Sequence, residues 1–197
     1  MTFEGIEGSG KTTQIQLLAR FLRSKGREVV TTKEPGGTLL GHAIRQWLLT
    51  PTEPFSSQYS ELLLFYVDRL EHVAKVVQPA LEAGKVVLCD RFIDSTIAYQ
   101  KGGRGMPETL IDTLTWVVPL RPNLTFLLDL SVEEGLKRAK NRAELDRFEH
   151  ESLAFHTRVR NTYLDQAQKE PDRIKLISVE NRSIEEVAEK IQTLLKP

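Results

Sequence analysis

The chain of 197 residues contains a single cysteine, Cys89. One thiol cannot form an intramolecular disulfide, and it leaves too few sulfur ligands for a zinc cluster. We interpret Cys89 as a small buried residue rather than a nucleophile, because its sequence neighbours are apolar. The four histidines show no metal-ligand spacing, and His72 is interpreted as a surface position on a helix. The low cysteine content is typical of a reducing compartment, so we expect a cytoplasmic location.

The sequence also lacks a net charge and long apolar runs. Its 27 lysines and arginines balance 27 aspartates and glutamates, for a formal net charge of +0. Because nucleic-acid binders usually carry a basic excess, we expect no nucleic-acid partner. No apolar run approaches the ~20 residues that span a bilayer, and the N-terminus lacks the basic-then-apolar order of a signal peptide. We therefore expect no membrane partner.

The pattern of hydrophobic residues predicts an α/β fold. Short β-branched or apolar runs alternate with longer amphipathic stretches, which is typical of a largely parallel sheet flanked by helices. The predicted strands are residues 1–4, 28–32, 85–90, 123–130 and 174–179. The predicted helices are residues 11–25, 39–49, 57–83, 93–99, 108–117, 132–141, 151–169 and 184–195. No repeat or linker divides the chain, so we predict a single domain over residues 1–197.

Local signals support some of these helix boundaries. Ser131 with Glu134, and Ser183 with Glu186, match the capping box in which two side chains satisfy backbone donors at a helix start. Pro79 lies inside the third predicted helix, so we expect a kink or an early break there.

The clearest motif is a glycine-rich loop between the first strand and the first helix, which matches G-x-x-x-x-G-K-[ST] in full. Such a loop wraps its backbone N–H groups around phosphate, the lysine reaches the β- and γ-phosphates, and the hydroxyl coordinates magnesium. The motif therefore predicts a nucleoside triphosphate site with Mg²⁺. The residues assigned to this site are Gly5, Ile6, Glu7, Gly8, Ser9, Gly10, Lys11, Thr12 and Thr13.

A nucleoside triphosphate site leaves several activities open. GTPases usually read guanine through N/T-K-x-D, which is absent here; residues 32–35 approach it but lack the aspartate. A motor normally needs a longer chain. A dinucleotide fingerprint fails because its third glycine would fall at Thr13. Phosphoryl transfer to a second small molecule and slow hydrolysis by a regulatory protein both remain.

Several arginines suggest a second anion site, since the planar guanidinium binds phosphate bidentately. Asp90 and Arg91 end a predicted strand, where ligands gather in parallel sheets. Asp90 could hold magnesium and Arg91 an acceptor phosphate, although an ion pair at the sheet edge explains the pair equally well. The segment EPGGT at 34–38 leads into the helix that carries Arg45, a further candidate contact, and by itself could be only a turn.

Phe65 and Arg69 lie four residues apart on the third predicted helix and therefore share one face. Together they offer an aromatic surface for a base and a cation for its exocyclic oxygen. On these residues alone, a helical aromatic beside leucines is more simply explained as core.

The motifs EGIEGSGKTT, EPGGT, LLLFYVDR, DRFIDSTIAYQ with GGRG, and LKRAKNRAELDRFE occur in this order between Gly5 and Glu149. Together they resemble the bacterial thymidylate kinase family. The resemblance implies a three-layer P-loop NTPase fold with a five-stranded parallel sheet and a short lid at about 138–149. It also implies transfer of the γ-phosphoryl group of Mg·ATP to dTMP, and a homodimer.

The resemblance implies roles for individual residues. Phe65 would stack on thymine, Arg69 would bind its O4, and Thr96 and Gln100 would meet the base edge. The dTMP phosphate would be bound by Arg91 and Arg45. The sugar would lie near Tyr99, with Glu7 close to its 3′-hydroxyl. Magnesium would be held by Thr12 and Asp90.

The resemblance also assigns the lid segment a role at the phosphate that ATP donates. Some family members carry an arginine inside the P-loop, and this chain has none there. Arg142, one helical turn from Arg138, would instead stabilise the transferring phosphoryl group, which makes Lys11, Arg91 and Arg142 the predicted catalytic residues. A solvated basic helix paired with nearby acids is the alternative, and another nucleoside monophosphate is the alternative substrate.

Overall fold

The computed structural model describes residues 1–50, 55–142 and 146–195, with the side chain of Arg142 outside that description. In these residues, five parallel strands form one sheet in the order β2-β3-β1-β4-β5. The strands are β1 (Thr2–Glu4), β2 (Val29–Lys33), β3 (Val86–Asp90), β4 (Thr125–Asp129) and β5 (Ile174–Ser178). The predicted five-stranded parallel sheet is thus confirmed, with strand ends that differ by one or two residues.

Helices cover both faces of the sheet. They are α1 (Lys11–Ser24), α2 (Leu39–Leu49), α3 (Gln58–His72), α4 (Gln78–Glu82), α5 (Ile93–Thr96), α6 (Glu108–Trp116), α7 (Val132–Arg142), α8 (Leu153–Lys169) and α9 (Ile184–Thr193). Two π-helical segments, Val73–Val77 and Ile97–Gly103, continue α3 and α5. Within the described residues, no helix is both long and apolar enough to cross a lipid bilayer.

The break expected at Pro79 is present as a change of helix type. The predicted helix 57–83 is divided into α3, the π-helical segment Val73–Val77 and α4, with Pro79 in the first turn of α4. Proline has no backbone N–H and its ring displaces the carbonyl one turn before it, so the helix widens ahead of the proline. The second π-helical segment was not predicted, and it extends the helix 93–99 to Gly103.

The predicted capping box at α9 is formed in both directions. Ser183 Oγ accepts from Glu186 N at 3.1 Å, and Glu186 Oε2 accepts from Ser183 N at 2.6 Å. At α7 the side chains of the other predicted box are engaged elsewhere: Ser131 Oγ donates to Glu180 at 2.6 Å, and Glu134 accepts from Arg138 Nε at 2.9 Å.

The register of the central strands brings polar residues to one edge of the sheet. Phe3 lies beside Asp90 on β3 and Phe126 on β4, and the Phe3 and Phe126 rings are 5.2 Å apart in the core. The next residue after Phe3 is Glu4, and Asp90 is followed by Arg91. The charged ends of β1 and β3 therefore meet at the carboxyl edge, where the P-loop also begins.

Candidate active site

A cavity of about 950 Å³ opens at the carboxyl edge of the sheet, between the P-loop, the segment after β2, and helices α3 and α5. Ligands bind at this edge in parallel α/β sheets. Of the predicted site residues, those lining the cavity are Glu7, Gly8, Gly10, Lys11, Thr12, Thr13, Arg45, Phe65, Arg69, Asp90, Arg91, Thr96, Tyr99 and Gln100. The structure therefore brings both predicted phosphate sites and the predicted base site into one space.

The P-loop is held close to its neighbours at two glycines. Gly5 has φ +134, and a Cβ there would lie 2.4 Å from Leu128 O. Gly8 has φ +72, and a Cβ there would lie 2.4 Å from Gly135 O in α7. A side chain at either position would collide with backbone, so the loop path depends on glycine.

Lys11 lies within the loop with its ammonium turned back toward the backbone. Its Nζ donates to Gly5 O at 3.0 Å and Ile6 O at 2.9 Å, with Ser9 Oγ at 3.4 Å. Burial, with a contribution from nearby Arg91, lowers the pKa of Lys11 to about 8. Gly10 precedes α1 without a side-chain cap, so the first N–H groups of the helix face the cavity as anion donors.

The two predicted oxygen ligands for magnesium, Thr12 and Asp90, lie side by side. Thr12 Oγ1 donates to Asp90 Oδ2 at 2.9 Å. The described residues contain no group of three His, Cys, Asp or Glu side chains that could hold a metal. A hydroxyl and one carboxylate fit Mg²⁺, which prefers oxygen and completes its octahedron with water and substrate phosphate.

Arg91 is the centre of a buried polar group that we call the Arg91 cluster, comprising Glu7, Arg91, Ser95, Tyr99 and Tyr163. Its NH2 donates to Glu7 at 2.9 Å and to Tyr99 OH at 3.1 Å. Its NH1 lies 3.2 Å from both Ser95 Oγ and Tyr163 OH. Arg91 itself adopts φ 68, a left-handed conformation that is unfavourable for a residue with a Cβ. This conformation directs the Arg91 side chain, at the end of β3, into the cavity.

Glu7 joins this cluster from the P-loop. Burial alone would raise its pKa, but the positive charges of Arg91 and Lys11 lower the pKa of Glu7 below its usual value. Tyr99 also donates to Glu7 Oε1. Glu7 Oε2 lies 3.7 Å from His156 Nδ1 and has no hydrogen bond to any described residue. The carboxylate is thus ionised with one oxygen left for a further donor.

Arg69 is the centre of a second buried group, the Arg69 cluster of Glu34, Arg69, His72 and Thr96. Its Nε donates to Glu34 at 2.8 Å and its NH1 donates to Thr96 at 2.9 Å. Glu34 also contacts His72 Nδ1 at 2.8 Å. The interpretation of His72 as a surface position is wrong: it is fully buried, because its face of α3 packs against β2 and the EPGGT segment.

The wall beside the Arg69 cluster is aromatic. Phe65 is half-buried, and its ring centroid lies 6.0 Å from that of Phe148. Phe148 also meets the edge of Tyr99 at 5.6 Å. These rings present an aromatic surface on which a flat ligand could stack. The interpretation of Phe65 as a core residue does not by itself explain such a surface.

The remaining predicted phosphate ligand, Arg45, lines the cavity from α2. Its NH1 donates to Pro35 O at 2.9 Å, which holds its stem across the EPGGT segment against Gly36. Partial burial lowers the pKa of Arg45, although Asp146 across the cavity opposes this shift.

Two arginines of the predicted lid segment, Arg138 and Arg147, lie in different surroundings. Arg138 is exposed on α7, pairs with Glu134, and lines the cavity beside Gly8. Arg147 is instead anchored, because its Nε donates to Leu48 O at 2.8 Å and its NH1 pairs with Glu61 at 2.7 Å. The side chain of Arg142 lies outside the described residues, so its assignment stays a prediction.

Sequence reasoning missed a carboxylate that links several of these parts. Glu61 on α3 accepts from Gln100 Nε2 at 3.1 Å and pairs with both Arg104 and Arg147. It carries no motif signal of its own. Its one clue is a charged residue directly before the apolar run LLLF, at a position that faces inward on α3.

The sheet order, the glycine-rich phosphate loop and a second set of buried cations in the same cavity define a P-loop phosphotransferase with a small phosphorylated acceptor. Residues 3–191 match the sequence model of the thymidylate kinase family. The chain therefore belongs to the thymidylate kinase family, and the resemblance predicted from its motifs is confirmed.

Individual relatives agree with this membership. A thymidylate kinase from Pseudomonas savastanoi pv. phaseolicola is 47% identical over 197 residues, covering 99% of this chain and 93% of that protein. One from Pseudomonas fluorescens is 51% identical over 179 residues, covering 90% and 85%. The crystal structure of thymidylate kinase from Ehrlichia chaffeensis matches with a TM-score of 0.80 at 40% identity, covering 98% of this chain and 96% of that chain.

Proposed function

We propose that this cavity holds ATP on the P-loop and dTMP against α3 and α5, and that the γ-phosphoryl group passes directly between them. The activity itself, phosphorylation of dTMP to dTDP, follows from family membership. The observation that carries the assignment of residues is that one cavity contains both the P-loop and Arg91. In-line transfer requires positioning and neutralisation of charge, and no covalent intermediate.

At the donor end, Lys11 and the first N–H groups of α1 bind the ATP phosphates. The Lys11 ammonium is held by backbone carbonyls, which a phosphate can replace. Thr12 and Asp90 would hold Mg²⁺, which supplies Lewis-acid neutralisation of the phosphate oxygens when bound. Arg142 on the lid would stabilise charge on the transferring group as an arginine supplied by the same chain.

At the acceptor end, Arg91 and Arg45 bind the dTMP phosphate, since both line the cavity. Glu7 has one oxygen committed to Arg91, and the other has no described hydrogen bond and lies 3.7 Å from His156 Nδ1. A rotation of the carboxylate would let it accept from the sugar 3′-hydroxyl. Tyr99 packs its ring against the Arg91 guanidinium at 5.0 Å, which supports its proposed position beside the sugar.

The base is recognised by Phe65, Arg69, Thr96 and Gln100. Each terminal nitrogen of Arg69 makes one protein hydrogen bond and carries a second N–H, which can donate to thymine O4. Gln100 must turn its NH₂ toward Glu61, because an ionised carboxylate only accepts. The amide oxygen of Gln100 is then oriented to accept the ring N3–H, which supports a thymine rather than a cytosine.

The test is ADP production from Mg·ATP with and without dTMP, followed by dUMP, AMP and GMP. We expect rapid, dTMP-dependent ADP formation and the highest kcat/KM for dTMP. ADP formation indifferent to any monophosphate, or a preference for a purine nucleotide, would contradict the proposal.

We also propose that the chain forms a homodimer through α2 and α3. Leu63 and Val67, one helical turn apart on α3, are 50% and 46% exposed, and Trp47 on the neighbouring α2 is 62% exposed. Such an apolar face is costly to leave in water. Light scattering should give twice the chain mass, and Val67→Glu should give the monomer; a monomeric wild-type protein would refute this.

The remaining proposals concern domain organisation, location in the cell and binding partners. We propose a single domain acting in the cytoplasm on small nucleotides, without a nucleic-acid partner. Support comes from the family match over residues 3–191, from the unpaired, buried Cys89 and from the balanced charge. Cell fractionation and a nucleic-acid filter-binding assay test these points; retention of the chain on DNA at physiological salt would contradict the last.

A further inference from the structure

Glu4 is a buried carboxylate to which the proposed reaction gives no role. It ends β1 directly before the P-loop and is 0% exposed. A carboxylate is rarely buried completely unless several donors satisfy it. The donors that satisfy Glu4 all belong to the surroundings of Arg91.

One Glu4 oxygen holds the backbone around Arg91. Oε1 accepts from Phe92 N at 2.7 Å, and Arg91 N donates to Phe3 O at 3.0 Å. These two bonds flank the residue whose φ of 68 is unfavourable for any side chain. The end of β1 thus restrains Arg91 on both sides in the conformation that points its guanidinium into the cavity.

The other oxygen orders the hydroxyls around the guanidinium. Oε2 accepts from Ser95 Oγ at 2.6 Å and from Tyr163 OH at 3.0 Å. An ionised carboxylate cannot donate, so at least one hydroxyl donates to Glu4. The two hydroxyls are also 2.7 Å apart, so the other donates either to Glu4 or to its neighbour, and both hydroxyls thus direct their protons away from Arg91. Their lone pairs then face Arg91 NH1, which lies 3.2 Å from each.

We propose that Glu4 is a positioning residue for the acceptor phosphate, acting through Arg91. It fixes the backbone at Arg91 with one oxygen, and with the other it sets the direction of the Ser95 and Tyr163 hydroxyls that hold the guanidinium. This inference rests on the proposed role of Arg91 in binding the dTMP phosphate.

Glu4→Gln tests this role, because the amide keeps the shape but places an N–H donor where an acceptor is needed. At least one hydroxyl must then accept from Gln and turn its proton toward Arg91. We expect kcat/KM for dTMP to fall about ten- to hundredfold, with KM for ATP changed by less than about twofold. The matched control is Asp129→Asn at the end of β4, which pairs with Arg160 and does not line the cavity. It should leave both constants unchanged.

A double-mutant cycle separates this inference from the function on which it rests. If Glu4 acts through Arg91, Glu4→Gln should have no further effect on dTMP kinetics in an Arg91→Ala background. Multiplicative losses would overturn the positioning role and leave that of Arg91 intact. If Arg91→Ala alone leaves dTMP kinetics unchanged, the proposed role of Arg91 fails.

The pH profile gives a readout that a purely structural role would not move. The charged or titratable groups that act on Glu4 come from β3, the β3–α5 segment, α5, α3, α1 and α8. They are Cys89, Arg91, Asp94, Arg69, Lys11 and Tyr163. Burial, reinforced by Asp94, raises the pKa of Glu4 to about 7. Below that pH the protonated acid resembles glutamine. The ratio of wild-type to Glu4→Gln kcat/KM should therefore be large near about pH 8.5 and approach unity near about pH 5.5.

Taking the ratio cancels titration of the dTMP phosphate, which both enzymes share. Titration of Lys11, on which Glu4 acts, is followed separately through KM for ATP. A flat ratio would overturn the proposal. If Glu4→Gln does not fold, Tyr163→Phe replaces it, since the ring is kept and only one ordered hydroxyl is lost. We expect about a threefold loss in kcat/KM for dTMP from that variant, and an unchanged value would likewise overturn the proposal.

Discussion

The two arginines at the centres of the Arg69 and Arg91 clusters are held in opposite ways. Arg69 is 1% exposed within a regular helix, and its partner Glu34 is shared with His72. Arg91 occupies a left-handed backbone position after a strand, and its partners include hydroxyls as well as the carboxylate of Glu7. The first arrangement resembles a structural ion pair, whereas the second stores backbone strain at the proposed phosphate site.

The difference also concerns what is left unsatisfied. Beside the Arg91 cluster, Glu7 Oε2 and both ring nitrogens of His156 have no hydrogen bond to any described residue. In the Arg69 cluster, Glu34 has both oxygens engaged. We infer that the carboxylate of the Arg69 cluster is satisfied before a ligand binds, while the Arg91 cluster reaches its final arrangement with the nucleotide present. The proposed base site around Arg69, which we call the base end, is then rigid. The proposed phosphate site around Arg91, which we call the phosphate end, rearranges when the nucleotide binds.

The largest expected effect lies at the phosphate end. Arg142→Ala should lower kcat by about a thousandfold and change KM for dTMP little, because its charge acts mainly on the transferring group. Steady-state kinetics measure both constants. The control is Lys140→Ala, an exposed position on the same helix. An unchanged turnover number in Arg142→Ala would refute the lid assignment.

A smaller effect, on stability, is expected at the base end. Glu34→Gln leaves the buried Arg69 guanidinium without its counterion, which should cost about 3 kcal/mol of the free energy of unfolding. Urea titration followed by circular dichroism measures it. Glu28→Gln, which breaks the exposed pair with Lys85, should cost less than about 1 kcal/mol. If the two variants unfold at the same urea concentration, the ion pair of the Arg69 cluster does not stabilise the fold.

The smallest effect concerns Asp68, which accepts from Gly36 N at 3.0 Å beside the Arg69 cluster. Burial raises the pKa of Asp68 to about 6, from 3.8. The folded protein therefore binds this proton more tightly than the unfolded chain, so the free energy of unfolding falls as pH rises through that window. Partial solvent screening limits the change to about 1 to 2 kcal/mol.

Asp68→Asn keeps an oxygen for the Gly36 N–H and removes the titration. Relative to wild type, its free energy of unfolding should therefore rise between about pH 4 and pH 7 and then level off. Thermal unfolding at a series of pH values measures the difference. A constant difference across this range would show that Asp68 does not titrate as the geometry implies.

The parts of the site that the sequence could predict are those set by local spacing. The P-loop motif lies between a strand and a helix, so its position follows from the alternation of short and long elements. Asp90 and Arg91 follow a strand in the same way, and parallel strands bring their carboxyl ends together. For the same reason, the cavity contains most of the residues predicted to line it.

The predictions that failed depend on contacts between distant segments. A histidine on an amphipathic helix has no local signal that separates surface from core, and His72 is buried because the EPGGT segment crosses α3 at that point. Glu61 was missed for a similar reason, since its partners Gln100, Arg104 and Arg147 are far from it in the chain.

By itself, the sequence determined the class of fold, the phosphate loop and the family, because hydrophobic periodicity and short motifs act over a few residues. The tertiary structure alone decided which charges are satisfied. The ion pair of Glu34 with Arg69 and the hydrogen bond from Phe92 N to Glu4 require β1, β2, α3 and α5 to pack together. The energy of a buried charge depends on every group around it, and no stretch of sequence contains that information.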